Sequence, residues 1–150
     1  MSSDVEGCLA CDVARGRVPL PGGILATTAH WAVSHCLGPL PLGTLIAAPA
    51  RHCLGVDALT EAEAEELGPL LRRATAAVRR LVAPDQVYVC LWSHAGWRPV
   101  HIHYVVQPVT REQMTAHAEF GPALQVYYLV AEGVGKALVA PAIVARALAE

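Results

Sequence analysis

Two histidines, His101 and His103, lie one residue apart in the apolar segment RPVHIHYVVQP of residues 98–108. Val, Ile and Tyr dominate this segment and prolines bound it, a pattern that predicts a strand. Side chains alternate along a strand, so both histidines share one face with Val105 and Gln107, and the opposite, apolar face is left for the core. The pair alone does not separate a chemical role from that of two half-buried, hydrogen-bonded side chains.

Two cysteines near the start of the chain, Cys8 and Cys11, form a Cys-x-x-Cys pair. Two thiolates on one turn can reach the same ion, and structural zinc takes four nitrogen or sulfur ligands in a tetrahedron. His52, three residues after Pro49, and His101 are the candidates for the other two ligands, although spacing alone does not force either assignment. A pair of buried thiols and a redox couple are the alternatives, but the redox motif normally follows a strand.

The bulk properties predict one domain over residues 1–150, with a loose N-terminus at 1–7. The chain has a net charge of −2 and 54% hydrophobic residues, enough for a real core. It has no basic stripe, which argues against duplex nucleic acid as a partner, and no long uncharged apolar stretch that would span a membrane. The polar start is unlike a signal peptide, so the sequence predicts a cytoplasmic location with reduced cysteines.

One long helix and several short strands are predicted. A Thr60–Glu63 capping box begins a helix within residues 57–83, in which leucines and alanines recur at helical spacing. Its arginines are interpreted as a solvated face: Arg72, Arg73, Arg79 and Arg80. Strands are predicted at 24–28, 31–35, 44–48, 86–92 and 98–108, and a helical extension at 110–150. The fold class is therefore α+β, an antiparallel sheet packed with one long helix.

Three segments together resemble the histidine-triad (HIT) nucleotide hydrolases and transferases. CLACDVARG at 8–16 is similar to the Cys-x-x-Cys opening of zinc-containing bacterial members. GTLIAAPARH at 43–52 resembles the family's glycine, apolar strand and Pro-x-x-His frame. AGWRPVHIHYVVQP at 95–108 resembles the Ala-Gly segment that precedes the family's H-φ-H-φ-H-φ-φ motif. The resemblance covers residues 8–108 and implies a HIT-like fold.

The resemblance also implies a site and a chemistry. The second motif histidine, here His103, would be the nucleophile that forms a nucleotidyl-histidine on nucleoside phosphoesters, phosphoramidates or dinucleoside polyphosphates. Its other nitrogen would have to donate, most simply to a backbone carbonyl. Cys8, Cys11, His52 and His101 would hold a structural Zn²⁺ with no open position for water. Family members commonly pair, so a homodimer is expected.

This sequence departs from the family at several pocket positions. The third motif histidine is Val105, the glutamine after Ala-Gly is Trp97, and Cys36 aligns with the aspartate that often holds the ribose. Residues that could bind the nucleotide or its phosphate are Arg98, Trp97, Ser93 and Gln107. For Gln107 an ordinary surface position is the alternative.

Three functions remain open at this stage. The first is an enzyme that hydrolyses or transfers nucleotidyl groups through His103. The second is a module that binds a nucleotide or another phosphate-bearing small molecule but has lost efficient catalysis. The third is a zinc-stabilised dimeric scaffold.

Overall fold

The structure, a computed structural model, describes residues 5–37, 40–95, 98–130 and 148–149. Its centre is a five-stranded sheet with the order β1-β2-β3-β5-β4, in which all the pairs are antiparallel. The strands are β1 (Ile24–Thr27), β2 (Trp31–His35), β3 (Leu45–Pro49), β4 (Gln86–Ala95) and β5 (Arg98–Val109). The helices are α1 (Leu9–Ala14), α2 (Glu61–Val82), α3 (Arg111–His117) and α4 (Gly121–Val130), and a short 3-10 turn spans Val56–Ala58.

The long helix α2 begins and ends with specific capping groups. The Thr60 hydroxyl accepts from the Glu63 amide at 3.3 Å, and the Glu63 carboxylate accepts from the Thr60 amide at 2.7 Å. This reciprocal pair is the predicted capping box, which satisfies amides that have no partner within the helix. Ala83 ends the helix in the left-handed conformation, with a φ of 48°.

One face of the sheet packs against α2 and forms the core. Buried side chains of β2, β3 and β5 meet a helical stripe of Leu70, Ala74, Ala77 and Val78. The indole Nε1 of Trp31 donates to the Glu63 carbonyl at 2.9 Å, which links β2 to the first turn of the helix. The apolar face predicted for β5 supplies Val106 and Tyr104 to this core, as expected from the alternation.

The opposite face, which carries the histidines of β5, is partly covered by α4. The Gly121 amide donates to the Tyr88 hydroxyl at 2.8 Å, and the Cys90 thiol donates to Gln125 Oε1 at 3.2 Å. Gln125 Nε2 in turn donates to Gln107 Oε1 at 3.2 Å. The helix therefore covers the end of this face that carries Gln107 and leaves the end that carries His103 open.

The predicted α+β class, the five strands and the long helix are confirmed, with shifts of a few residues at their ends. The solvated-face interpretation is wrong for Arg73, whose guanidinium donates to the Leu148 carbonyl at 2.6 and 3.0 Å. Thr110 caps α3, and α4 follows it, whereas most of residues 131–150 lie outside the described residues, so the helical extension over 110–150 stays a prediction. The single-domain extent and the loose N-terminus stay predictions.

None of the helices in the described part of the chain combines the length and apolar character needed to cross a membrane.

The ion pair at the start of α2 predicts a pH dependence of stability. Hydrogen bonds from Arg51 lower the pKa of buried Glu63 from 4.5 to about 2, against the opposing effect of burial, and Thr60 adds to the lowering. A carboxylate with a depressed folded-state pKa stabilises the protein above its unfolded pKa, and this contribution disappears as the pH falls from 4.5 towards 2. The shift corresponds to about 3 kcal/mol.

We expect the unfolding free energy of metal-free protein to fall more steeply between pH 5 and pH 2.5 in the wild type than in Glu63→Gln. Urea unfolding across this range measures the difference. Glu65→Gln, at an exposed position of the same helix, should retain the wild-type slope. Equal slopes for the wild type and Glu63→Gln would contradict the assignment.

Candidate functional site

Four potential metal ligands that are distant in sequence converge at one point. The donor atoms of Cys8, Cys11, His52 and His101 all lie within 4.8 Å of one another. Cys11 Sγ lies 3.4 Å from His52 Nδ1 and 3.6 Å from His101 Nδ1, and Cys8 Sγ lies 3.7 Å from His101 Nδ1. The structure thus brings together all four of the residues that the sequence analysis assigned to a metal site.

Three of the six distances between the four donor atoms match the edges of a zinc tetrahedron. Bonds of about 2.3 Å to sulfur and about 2.0 Å to nitrogen, at tetrahedral angles, place sulfur and nitrogen about 3.5 Å apart. The three measured sulfur–nitrogen distances, from 3.4 to 3.7 Å, are close to that value. The donor set and its spacing are therefore compatible with one structural zinc ion.

Three different elements position the four ligands. Cys8 is the N-cap residue of α1 and Cys11 lies in its first turn, so a single helical turn presents both thiols. His52 lies in the loop after β3, three residues beyond Pro49, and His101 lies on β5. The Ile102 amide donates to the Cys53 carbonyl at 2.8 Å, which fastens the His52 loop beside β5.

The environment of His101 favours a neutral imidazole. Its side chain is 2% exposed, and burial lowers its pKa to about 4, with repulsion from His52 acting in the same direction and the Pro49 carbonyl opposing. A neutral ring is the form that binds a metal, so the site requires no deprotonation of His101 near pH 7. Its Nδ1 faces the thiols, whereas its buried Nε2 makes no hydrogen bond of good geometry with any described residue.

His103 has the geometry expected of a nucleophilic imidazole. Its Nδ1 lies 3.2 Å from the His101 carbonyl oxygen. A carbonyl can only accept, so this contact places the proton on Nδ1 and leaves the lone pair of Nε2 free. The backbone carbonyl that was expected to accept from His103 is therefore present in the structure. The ring is half-buried and lines a cleft.

The cleft occupies the uncovered part of the histidine face and has a volume of about 1040 Å³. Ala32, Ile46 and Ala48 of the neighbouring strands lie along it, and Trp92 pairs with His103 across β4 and β5. Three of the four candidate metal ligands, Cys8, His52 and His101, border the same cleft, as does Cys36. An open, mostly apolar cleft beside one unblocked imidazole is suited to a bound small molecule.

The structure does not bring all the predicted phosphate ligands into this cleft. Gln107 is completely buried beneath α4, so it neither lines the cleft nor occupies the surface position that was its alternative. Ser93 is half-buried on β4 and is not among the residues that line the cleft. Trp97 and the side chain of Arg98 lie outside the described residues. Val105 does line the cleft, at the third motif position.

Sequence reasoning missed two features of the site. The first is the set of small residues, Ala32 and Ala48, that gives the cleft its depth. The second is Arg51, which precedes His52 and forms an ion pair with Glu63 at 2.6 Å. The capping-box position of Glu63 was visible in the sequence, but its second partner lies twelve residues earlier and no local pattern marks it.

No protein-family model matches this sequence, and no curated protein matches it. Solved structures do match. A zinc-bound histidine triad family protein from Mycobacterium smegmatis is 15% identical, with a TM-score of 0.66 over 95% of this chain and 94% of that one. A hypothetical histidine triad nucleotide-binding protein from Sulfolobus tokodaii is 14% identical, with a TM-score of 0.66 over 95% and 92%. A HIT family protein from Bacillus anthracis is 17% identical, with a TM-score of 0.63 over 73% and 77%.

These similarities establish the architecture of the chain. Its five-stranded antiparallel sheet with accompanying helices is the histidine-triad fold. The resemblance read from three sequence segments is therefore confirmed at the level of the fold.

Proposed function

We propose that this chain is a member of the HIT family that hydrolyses or transfers nucleotidyl groups, with His103 as the nucleophile. The observation that carries the proposal is the 3.2 Å contact between His103 Nδ1 and the His101 carbonyl, which in the neutral imidazole makes Nε2 the nitrogen with the lone pair, beside an open cleft. The HIT fold supports the proposal, because its solved examples include a protein described as nucleotide-binding.

The proposed reaction has two steps. The Nε2 lone pair of His103 attacks the α-phosphorus of a nucleoside phosphoester, phosphoramidate or dinucleoside polyphosphate. The bond from phosphorus to the leaving group breaks, and the leaving group keeps the electron pair and takes a proton from solvent. Water then attacks the phosphorus of the nucleotidyl-histidine, releases the nucleotide and restores the imidazole. Throughout, the His101 carbonyl holds the Nδ1 proton and supports the positive charge that develops on the ring.

Arg98 and Trp97 are proposed contacts for the nucleotide and its phosphate, whereas Ser93, which does not line the cleft, is not. Arg98 lies five residues before His103, and a guanidinium can neutralise the phosphate charge through paired hydrogen bonds. Arg98→Met should therefore weaken substrate binding more than Ser93→Ala does.

A second candidate function is a module that binds nucleotides with weak turnover. Val105 favours it, because this side chain lines the cleft at the third motif position and cannot donate a hydrogen bond to a phosphate or a leaving group. Both candidates use the same cleft, and the formation of a covalent adduct distinguishes them.

Intact-protein mass spectrometry tests the nucleophile directly. After incubation with a panel of adenylylated and guanylylated compounds, we expect the wild type to gain the mass of one nucleotidyl group and His103→Ala to gain none. His117→Ala, at the end of α3, serves as the matched histidine control and should behave as the wild type. Nucleotide binding without an adduct or product would favour the binding module, and an adduct on His103→Ala would exclude His103 as the nucleophile.

We further propose that Cys8, Cys11, His52 and His101 hold a structural zinc ion. Four protein ligands leave no position for water or substrate, so the ion would act by joining α1, the His52 loop and β5. The thiolate ligands need a reducing compartment, which is consistent with a cytoplasmic location.

Removal of zinc should destabilise the protein strongly. We expect one zinc ion per chain by elemental analysis, and a melting temperature at least 10 °C lower after chelation, because binding energy at such a site contributes to folding. Cys11→Ser should lose the ion, whereas Cys90→Ser, at a half-buried thiol outside the cluster, should retain it. A zinc-free wild type, or one that melts equally with and without a chelator, would refute the proposal.

A homodimer is proposed to form along β4. This strand lies at one edge of the sheet, and Val89 and Leu91 on it are 41% and 40% exposed. A second copy could pair with this edge, which no other described strand occupies, and cover these side chains. We expect sedimentation to show a dimer for the wild type and a monomer for Leu91→Lys, whereas Phe120→Lys, at an exposed site between α3 and α4, should leave the dimer intact. If both variants sediment as the wild type does, another surface forms the contact.

A further inference from the structure

The loop that carries His52 is held from two sides by groups that are not themselves metal ligands. On one side, Arg51 Nε donates to Glu63 Oε1 at 2.6 Å, and its terminal nitrogen NH2 donates to Glu63 Oε2 at 2.7 Å. On the other side, the Cys53 carbonyl accepts from the Ile102 amide at 2.8 Å. The residues immediately before and after His52 are therefore both anchored.

The anchor on the Arg51 side is rigid because Glu63 is fixed independently of Arg51. The Glu63 carboxylate also accepts from the Thr60 amide at 2.7 Å, and its backbone carbonyl accepts from the Trp31 indole at 2.9 Å. The side chain is 3% exposed, so its charge is removed from water and needs a cationic partner. Arg51 supplies that partner in the paired geometry that only a guanidinium provides.

Arg51 also connects the loop to the turn that precedes α2. The same NH2 group donates to the Ala58 carbonyl at 2.6 Å, at the end of the 3-10 turn. One guanidinium thus joins three points of the chain between residues 51 and 63. These contacts hold Arg51, the residue directly before His52. The position of Arg51 in turn limits the directions from which the His52 imidazole can approach Cys11.

From these contacts we propose that Arg51 and Glu63 are positioning residues for the metal centre, which hold His52 in its ligating orientation and set the affinity of the site for zinc. The inference rests on the proposed zinc site. Glu63 lies in the first turn of α2, a helix that supplies no metal ligand, yet through Arg51 it supports the ligand His52. Groups that orient a metal ligand commonly change metal affinity by about 10-fold to 100-fold when they are removed.

Zinc competition with a chromogenic chelator tests this proposal without any measurement of catalysis. Arg51→Met keeps the length of the side chain but removes the paired donors, and it should weaken zinc binding by about 10-fold to 100-fold. Glu63→Gln should also weaken binding, because the Arg51 side chain loses its charged acceptor. Arg51→Lys keeps the charge but not the paired geometry, so its effect should be smaller. Arg111→Met removes an exposed ion pair with Asp85 and should remain within about twofold of the wild type.

Unfolding of the zinc-loaded and zinc-free forms separates positioning from general stability. If Arg51 positions His52, Arg51→Met should reduce the extra stability that zinc confers. A merely structural role would lower the stability of both forms equally and leave zinc affinity unchanged, and that result would overturn the proposal. If Arg51→Met does not fold, wild-type zinc affinity in both Arg51→Lys and Glu63→Gln would overturn it.

Failure of the positioning role can be distinguished from failure of the proposed zinc site and from failure of the proposed nucleophile. A wild type that binds no zinc removes the metal centre and with it the positioning role. The test for an adduct on His103 is independent of either result.

Discussion

The hydrogen bond from the Ile102 amide to the Cys53 carbonyl connects the two parts of the chain that carry the histidines of the site. Ile102 lies between His101 and His103, and its side chain is completely buried. The bond therefore ties the loop after β3 to the point of β5 where both histidines emerge. It extends the contact between β3 and β5 beyond the paired residues Ala47 and Tyr104, and so places His52 beside His101.

The two histidines of β5 share a face but differ in what surrounds them. His101 is enclosed, with its Nδ1 towards the thiols, whereas His103 is half-buried and faces the cleft. The two residues are also linked directly, because the His101 carbonyl accepts a hydrogen bond from His103 Nδ1. An ion that fixes His101 would therefore also fix the group that determines which nitrogen of His103 is free.

Local sequence signals were sufficient for much of the fold. The Thr60–Glu63 capping box marked the start of α2, and the alternation in residues 98–108 marked β5 and its core face. The ligand cluster was also visible, because cysteine spacing and a Pro-x-x-His frame limit the candidates to a few side chains. The family resemblance then assigned His52 and His101 as the two histidine ligands.

Features that depend on packing between distant elements were not visible. Nothing near Gln107 shows that α4 covers it, and nothing near Arg73 shows that the Leu148 carbonyl accepts from it. Arg51 could not be paired with Glu63 from spacing, because the turn at Val56–Ala58 brings them together. In each case a polar side chain that would suit the surface is held by a partner from elsewhere in the fold.

The hydrogen bond between two buried amides, Gln125 of α4 and Gln107 of β5, limits how the helix can be placed on the sheet. Apolar contacts tolerate sliding of one element over another, but the Gln107–Gln125 hydrogen bond has a single matching register. It therefore fixes the register of α4 against β5, and an apolar replacement of either glutamine would leave the other amide buried without its partner.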